Sequence, residues 1–112
     1  MIIYHNPRCS KSRQALQLLE EHGAEPEVIK YLEEVPTKEQ LREVIDLLGI
    51  EPSELVRTTE KIYKEKFRGR ELSPEEWIEA MVSHPKLIQR PIVISGNRAV
   101  VGRPPEKVKE LL

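Results

Sequence analysis

The stretch Ile2-Ile3-Tyr4-His5-Asn6-Pro7-Arg8-Cys9-Ser10, followed by a helical run to Gly23, changes hydrophobic period once, and that change sets the fold. Residues 2–4 are apolar and β-favouring, a short strand ended by Asn6-Pro7. From residue 10 to 22 the spacing is helical. It places Ala15, Leu16 and Leu19 on one face, and Gly23 suits the left-handed position just past a helix end. Val28-Ile29-Lys30-Tyr31-Leu32 then reads as a second strand. Strand, helix, strand in this order implies a parallel pair, because a dozen-residue crossover separates the two strands.

Outward from this unit the signals remain local and legible. Thr37 and Gln40 form a capping box that opens a helix carrying Leu41, Val44, Ile45 and Leu48, stopped by Gly49. Ser53 is placed to start a short helix through Leu55 and Val56. Ser73-Pro74-Glu75-Glu76 is a second capping box with proline at the first helical position. Its helix carries Trp77, Ile78, Met81 and Val82 and stops near His84-Pro85. Pro91–Ser95 and Arg98–Val101 flank Gly96-Asn97, a two-residue hairpin turn. Pro104-Pro105-Glu106 opens a last helix with Val108, Leu111 and Leu112 expected to face inward. The layout is α/β: a mixed four-stranded sheet with flanking helices, a parallel pair and an antiparallel edge. It matches a thioredoxin-like arrangement if residues 50–85 form a helical insertion in a single domain covering residues 1–112.

Composition bounds the function. The chain has 112 residues, enough for one ordinary domain. Lys and Arg number 18 against 19 Asp and Glu, so a net charge of -1 argues against general nucleic-acid binding, which needs a basic excess. No apolar run approaches the roughly 20 residues of a membrane span. Met1-Ile2-Ile3-Tyr4-His5 lacks the basic and apolar regions of a secretory signal. The single cysteine, Cys9, has no partner for an internal disulfide and cannot build a cysteine-rich metal site; no metal is expected. A lone thiol without a leader fits the reducing cytoplasm.

Cys9 falls at the strand-to-helix turn, just before the helix, where α/β folds set their sites. Unpaired backbone N–H groups and the helix dipole there stabilise a thiolate and attract an anion. Arg8, Lys11 and Arg13 add positive charge nearby. A buried, inert small residue is the alternative for a lone cysteine, and its position argues against it. Cys9-Ser10-Lys11-Ser12 is the one-thiol version of a Cys-x-x-Cys pair, so any mixed disulfide formed on it needs an external thiol for resolution.

The run Ile3-Tyr4-His5-Asn6-Pro7-Arg8-Cys9-Ser10-Lys11-Ser12-Arg13 closely resembles the start of the glutaredoxin-coupled arsenate reductase family, with its His-Asn-Pro-x-Cys-x-x-Ser pattern. The resemblance continues through Glu54-Leu55-Val56-Arg57, Pro85–Val93 and Val101-Gly102-Arg103-Pro104-Pro105, in order over essentially the whole chain. Ser10-Lys11 departs from the Gly-Thr common after the family's cysteine. The resemblance implies a thioredoxin-like fold with a helical insertion and the reduction of arsenate to arsenite. Glutathione would act as co-substrate and glutaredoxin as the electron-supplying partner, with no bound cofactor.

By that resemblance Cys9 is the nucleophile, and Arg57, Arg90 and Arg103 are the anion-binding arginines. Guanidinium forks suit an oxyanion of charge near -2 in bidentate geometry. These three arginines come from distant segments and act together only if the fold brings them together. Pro91 resembles the cis-proline that faces the active cysteine in thioredoxin-like folds. His5, Asn6 and Ser12 are supporting residues. A cationic or hydrogen-bonding imidazole at His5 lowers the thiol pKa, and Asn6 and Ser12 donate to the thiolate or to arsenate. Each also has an ordinary role as a turn or cap residue. The basic run over residues 57–70 reads as a solvated helical face that could also dock an acidic partner. Two further classes fit the same layout: Spx-type regulators that bind RNA polymerase, and general glutathione-linked thiol–disulfide oxidoreductases. The regulators usually carry Cys-x-x-Cys, and Ser12 together with the arginine set favours the enzyme.

Overall fold

The period change near residue 9 is realised as strand β1, Ile2–Tyr4, leading into helix α1, Ser10–Glu21. The computed structural model describes residues 1–112. Strand β2, Glu27–Ile29, comes next, followed by helices α2, Lys38–Leu48, α3, Lys61–Lys66, and α4, Pro74–Ser83. Strands β3, Ile92–Ser95, and β4, Arg98–Val101, form the hairpin. Three short 3-10 segments complete the chain at Pro52–Leu55, Pro85–Leu87 and Pro105–Leu111. No helix is long and apolar enough to cross a membrane.

The chain packs as two compact units, Met1–Glu34 with Arg90–Leu112, and Val35–Gln89. The helical segment expected over residues 50–85 is therefore part of a larger unit that starts at Val35 and includes α2.

The first unit holds the sheet, in order β2-β1-β3-β4. β1 pairs parallel with β2, Ile3 opposite Val28, and antiparallel with β3, Ile3 opposite Val93. β3 and β4 pair antiparallel, Val93 opposite Val100. Ile3 and Val93 are fully buried from the sheet, Ala15 and Leu19 from α1, and Val108 from the last 3-10 segment. These side chains make one core because their segments supply apolar residues at periods that face a common layer.

Three expectations shift here. The second strand runs Glu27–Ile29 rather than 28–32, because residues 31–34 turn, with the Glu33 and Glu34 N–H groups donating to Lys30 O at 2.9 and 2.8 Å. The last helix is 3-10 throughout, and Leu112, expected to face inward, is 51% exposed. Val108 and Leu111 already fill the inward positions at the three-residue period of a 3-10 segment, which leaves the terminal leucine on the outside.

The second unit is helical. Both capping boxes form: Thr37 Oγ1 accepts the Gln40 N–H at 3.1 Å, and Ser73 Oγ accepts the Glu76 N–H at 3.2 Å. Gly49 closes α2 with φ 68°, a conformation that favours glycine. Lys38–Glu79, at 2.9 Å, and Arg42–Glu75 are ion pairs between α2 and α4. Tyr63 stacks on Trp77 with ring centroids 6.4 Å apart, and Phe67 lies 5.9 Å from the same indole. The 3-10 turn near Ser53 begins at Pro52. Helix α3 carries its lysines outward, as a solvated face does, with Lys61 3.6 Å from Glu65 one turn on.

Candidate active site

The turn between β1 and α1 is built from backbone groups its own residues satisfy. The His5 N–H donates to Ile29 O at 2.8 Å, which carries the parallel pairing one residue past β1. Asn6 then folds the chain: its Oδ1 accepts the Arg8 N–H at 3.0 Å, and its carbonyl accepts the Cys9 N–H at 3.0 Å. This is the asparagine turn chemistry that the Asn-Pro pair promises. Cys9 follows as the helix N-cap, extended at φ -94° and ψ 122°, and its carbonyl accepts the Arg13 N–H at 3.0 Å.

The thiol of Cys9 is half-buried. Burial pushes its pKa up. Opposing this are the Ser12 N–H, a hydrogen bond from the Arg90 side chain, the Lys11 N–H and the Arg90 charge, and together they hold it below the usual thiol value. The two N–H groups belong to the first turn of α1, whose donors have no helical acceptor, so the helix terminus acts on the sulfur directly.

Arg90 and Arg103 enter from the other end of the chain. Arg90 is buried just ahead of β3, and Arg103 follows β4 by two residues. Arg103 Nη1 lies 3.1 Å from Arg90 O, which accepts its hydrogen bond, and 3.9 Å from Cys9 Sγ. One guanidinium nitrogen thus ties the residue before Pro91 to the sulfur, across separations of 13 and 94 residues. The Arg90-Pro91 peptide is cis, as the resemblance implied, and Arg103-Pro104 is cis as well.

Gly102 was not singled out from the sequence, although a glycine directly after a strand is a signal for close backbone approach. Its N–H donates to Pro91 O at 2.8 Å, and a Cβ built there would lie 2.9 Å from Pro91 Cγ and 3.1 Å from Val108 Cγ1. Only a residue without a side chain lets the two arginine-proline corners meet so closely.

The supporting residues hold one another. Ser12 is fully buried, and its Oγ accepts the Asn6 N–H at 3.0 Å and lies 2.6 Å from His5 Nδ1. Burial, then Lys30, then Arg13 depress the His5 pKa. The imidazole is therefore neutral at pH 7 and its Nδ1 pairs with the Ser12 hydroxyl, whereas the groups that lower the Cys9 pKa are Ser12, Arg90 and Lys11. The Asn6 side chain is occupied as a turn clip on Arg8.

Arg57 belongs to the second unit. Its N–H donates to Leu87 O at 2.6 Å beside the isolated Val56–Ile88 bridge, and its Nε lies 3.9 Å from Glu60 Oε2.

A thioredoxin-like sheet with one cysteine capping its first helix, approached by two arginines, defines the class: a thioredoxin-like protein with a monothiol, cationic site. Within that class the chain belongs to the ArsC family, which it matches over residues 4–111. It is 50% identical to an uncharacterized protein of Escherichia coli, over 98% of this chain and 94% of that protein. It is 43% identical to the arsenate reductase of Haemophilus influenzae, over 100% of this chain and 98% of that enzyme. Among solved structures it superimposes on the arsenate reductase from Vibrio cholerae with a TM-score of 0.95 at 50% identity, covering 99% of this chain and 96% of that one.

Proposed function

We propose that this protein reduces arsenate to arsenite through Cys9, with electrons from glutathione and glutaredoxin. The observation that carries the reading is the sulfur itself: a thiol held below its usual pKa by helix N–H groups and Arg90, with Arg103 Nη1 3.9 Å away. Anion and thiolate are both favoured at such a site, which is what attack on an arsenic oxyanion needs. The likeness to enzymes named arsenate reductases supports the same substrate.

Arsenate binds beside the helix N-terminus against Arg90 and Arg103, with Arg57 as the third anion-binding arginine. The Cys9 thiolate attacks arsenic, an As–S bond forms, and an arsenate oxygen leaves as water after taking up protons. A glutathione thiolate then attacks Cys9 Sγ. The S–S bond forms as the As–S bond breaks, its electron pair stays with arsenic, and arsenic(V) departs as arsenite. Glutaredoxin removes glutathione from Cys9 by thiol–disulfide exchange, because Ser12 offers no second thiol. Thiols alone run the cycle, with glutathione as co-substrate and no bound cofactor, in the glutathione-rich cytoplasm.

The test is a coupled assay of arsenate, glutathione, glutaredoxin and NADPH-dependent glutathione reductase. Arsenate-dependent NADPH oxidation that Cys9→Ser abolishes is expected. If the wild-type protein turns over glutathionylated thiols but not arsenate, the activity is general thiol exchange instead.

A further inference from the structure

Beside the β1–α1 turn lies a cavity of about 250 Å³ that the reaction above leaves unused. Its wall is formed by Asn6 and Arg8 from the turn, by His5, and by Lys30, Leu32 and Glu33 from the segment after β2. Arg8 is the bonded neighbour of Cys9, and the Asn6 carbonyl accepts the Cys9 N–H at 3.0 Å, so the cavity wall and the nucleophile share one hydrogen-bonded turn. Two cations, Arg8 and Lys30, and one carboxylate, Glu33, line it together with the apolar Leu32. The Lys30 charge reaches the neighbouring His5 ring strongly enough to help depress its pKa.

We propose that this cavity binds the α-amino-acid head group of a thiol peptide, the γ-glutamyl end of glutathione, and so presents its cysteinyl sulfur to Cys9. The inference rests on glutathione's role in the proposed function and extends it. The charges decide which end enters. A γ-glutamyl head group carries a carboxylate and an ammonium side by side, which match the Arg8 and Lys30 cations and the Glu33 carboxylate. The glycyl end carries a carboxylate alone and leaves Glu33 without a partner. Size limits how much enters: the cavity, at about 250 Å³, falls below the ~300 Å³ at which pockets begin to enclose drug-sized ligands. It therefore seats one end of the peptide and leaves the thiol outside, free to react.

The direct test is titration of the 15N-labelled protein with S-methylglutathione, which binds without thiol exchange. Amide shifts at Arg8, Lys30 and Glu33 are expected. Lys30→Gln and Glu33→Gln should each raise the dissociation constant about three- to fivefold, the scale of one exposed charge contact. Lys30→Arg, which keeps the charge, should restore binding. S-methylated γ-glutamylcysteine should shift the same amides, and S-methylated cysteinylglycine should not. In the coupled assay the Gln variants should raise KM for glutathione with KM for arsenate unchanged. Absence of shifts at these amides, or equal binding by cysteinylglycine, overturns the proposal even in an active arsenate reductase. Shifts that Lys30→Gln weakens, in a protein that fails to reduce arsenate, uphold the peptide site and overturn the arsenate reading alone.

Discussion

Ser12 Oγ and His5 Nδ1 lie 2.6 Å apart inside the first unit, joining the first turn of α1 to the end of β1 across seven residues of chain. The same oxygen accepts the Asn6 N–H, so one buried hydroxyl ties both ends of the loop that presents Cys9. Ser12→Ala leaves the Asn6 donor and the imidazole without this partner. A cost of about 1–3 kcal/mol is expected, the range for stranding buried polar groups, read as a lowered urea midpoint with an unchanged slope.

The depressed His5 pKa makes stability depend on pH in a defined direction. Burial, Lys30 and Arg13 keep the native imidazole unprotonated, whereas the unfolded chain takes up that proton below its ordinary value of about 6.5. The unfolded state binds more protons there, so stability falls as the pH drops from about 6.5 toward the folded value. Urea midpoints measured at neutral and mildly acidic pH should show that fall, and His5→Gln should flatten it. An equal fall in His5→Gln would assign the effect to other groups.

Cys9 titrates with the corresponding sign. Its native pKa lies below the usual thiol value, so stability from the thiolate is present above the unfolded pKa and is lost as pH falls through the folded one. The rate of iodoacetamide alkylation should inflect below the ~8.5 of a free thiol. Arg90→Gln removes a hydrogen bond and a charge from the sulfur and should move the inflection upward. A wild-type inflection at the free-thiol value would refute the stabilisation of the thiolate by the helix terminus and Arg90.

The arginines separate charge from geometry. Arg90→Lys and Arg103→Lys keep the cation and lose the fork, and each should weaken arsenate handling by about 1.5–3 kcal/mol, roughly ten- to a hundredfold in kcat/KM. Arg57→Lys belongs in the same series, since the three-arginine reading requires a comparable loss from it. An Arg57 variant with wild-type kinetics would reduce the clamp to Arg90 and Arg103.

Gly102→Ala probes the packing that brings the two arginine-proline corners together. Its Cβ would sit 2.9 Å from Pro91 Cγ, closer than such atoms approach, with Val108 Cγ1 at 3.1 Å blocking the alternative. Overpacking of this kind costs about 1–3 kcal/mol. The variant should show both a lowered urea midpoint and a raised Cys9 alkylation inflection, because Pro91 follows Arg90 and Gly102 precedes Arg103 in the chain.

The amino-acid sequence alone determined what depends on near neighbours in the chain. The strand at Ile2–Tyr4, the helix beginning after Cys9, both capping boxes and the Gly96-Asn97 hairpin follow from side-chain period, cap chemistry and turn preference, which act over a few residues. The asparagine turn that leads into Cys9 was equally legible, and with it the helix-terminus character of the thiol. Tertiary structure alone decided the rest. Whether Arg103 reaches Cys9 depends on how the β3–β4 hairpin docks on β1, a β1–β3 register set by burial of Ile3 and Val93 rather than by any local signal. That Leu112 is exposed while Val108 and Leu111 are buried follows from the 3-10 period of the last segment and the face it packs on the core. That Gly102 must be glycine is a fact about Pro91 and Val108, neighbours only in space. The cis peptide before Pro104 has no signature in the residues around it, because a proline tolerates both isomers and the surrounding packing selects one.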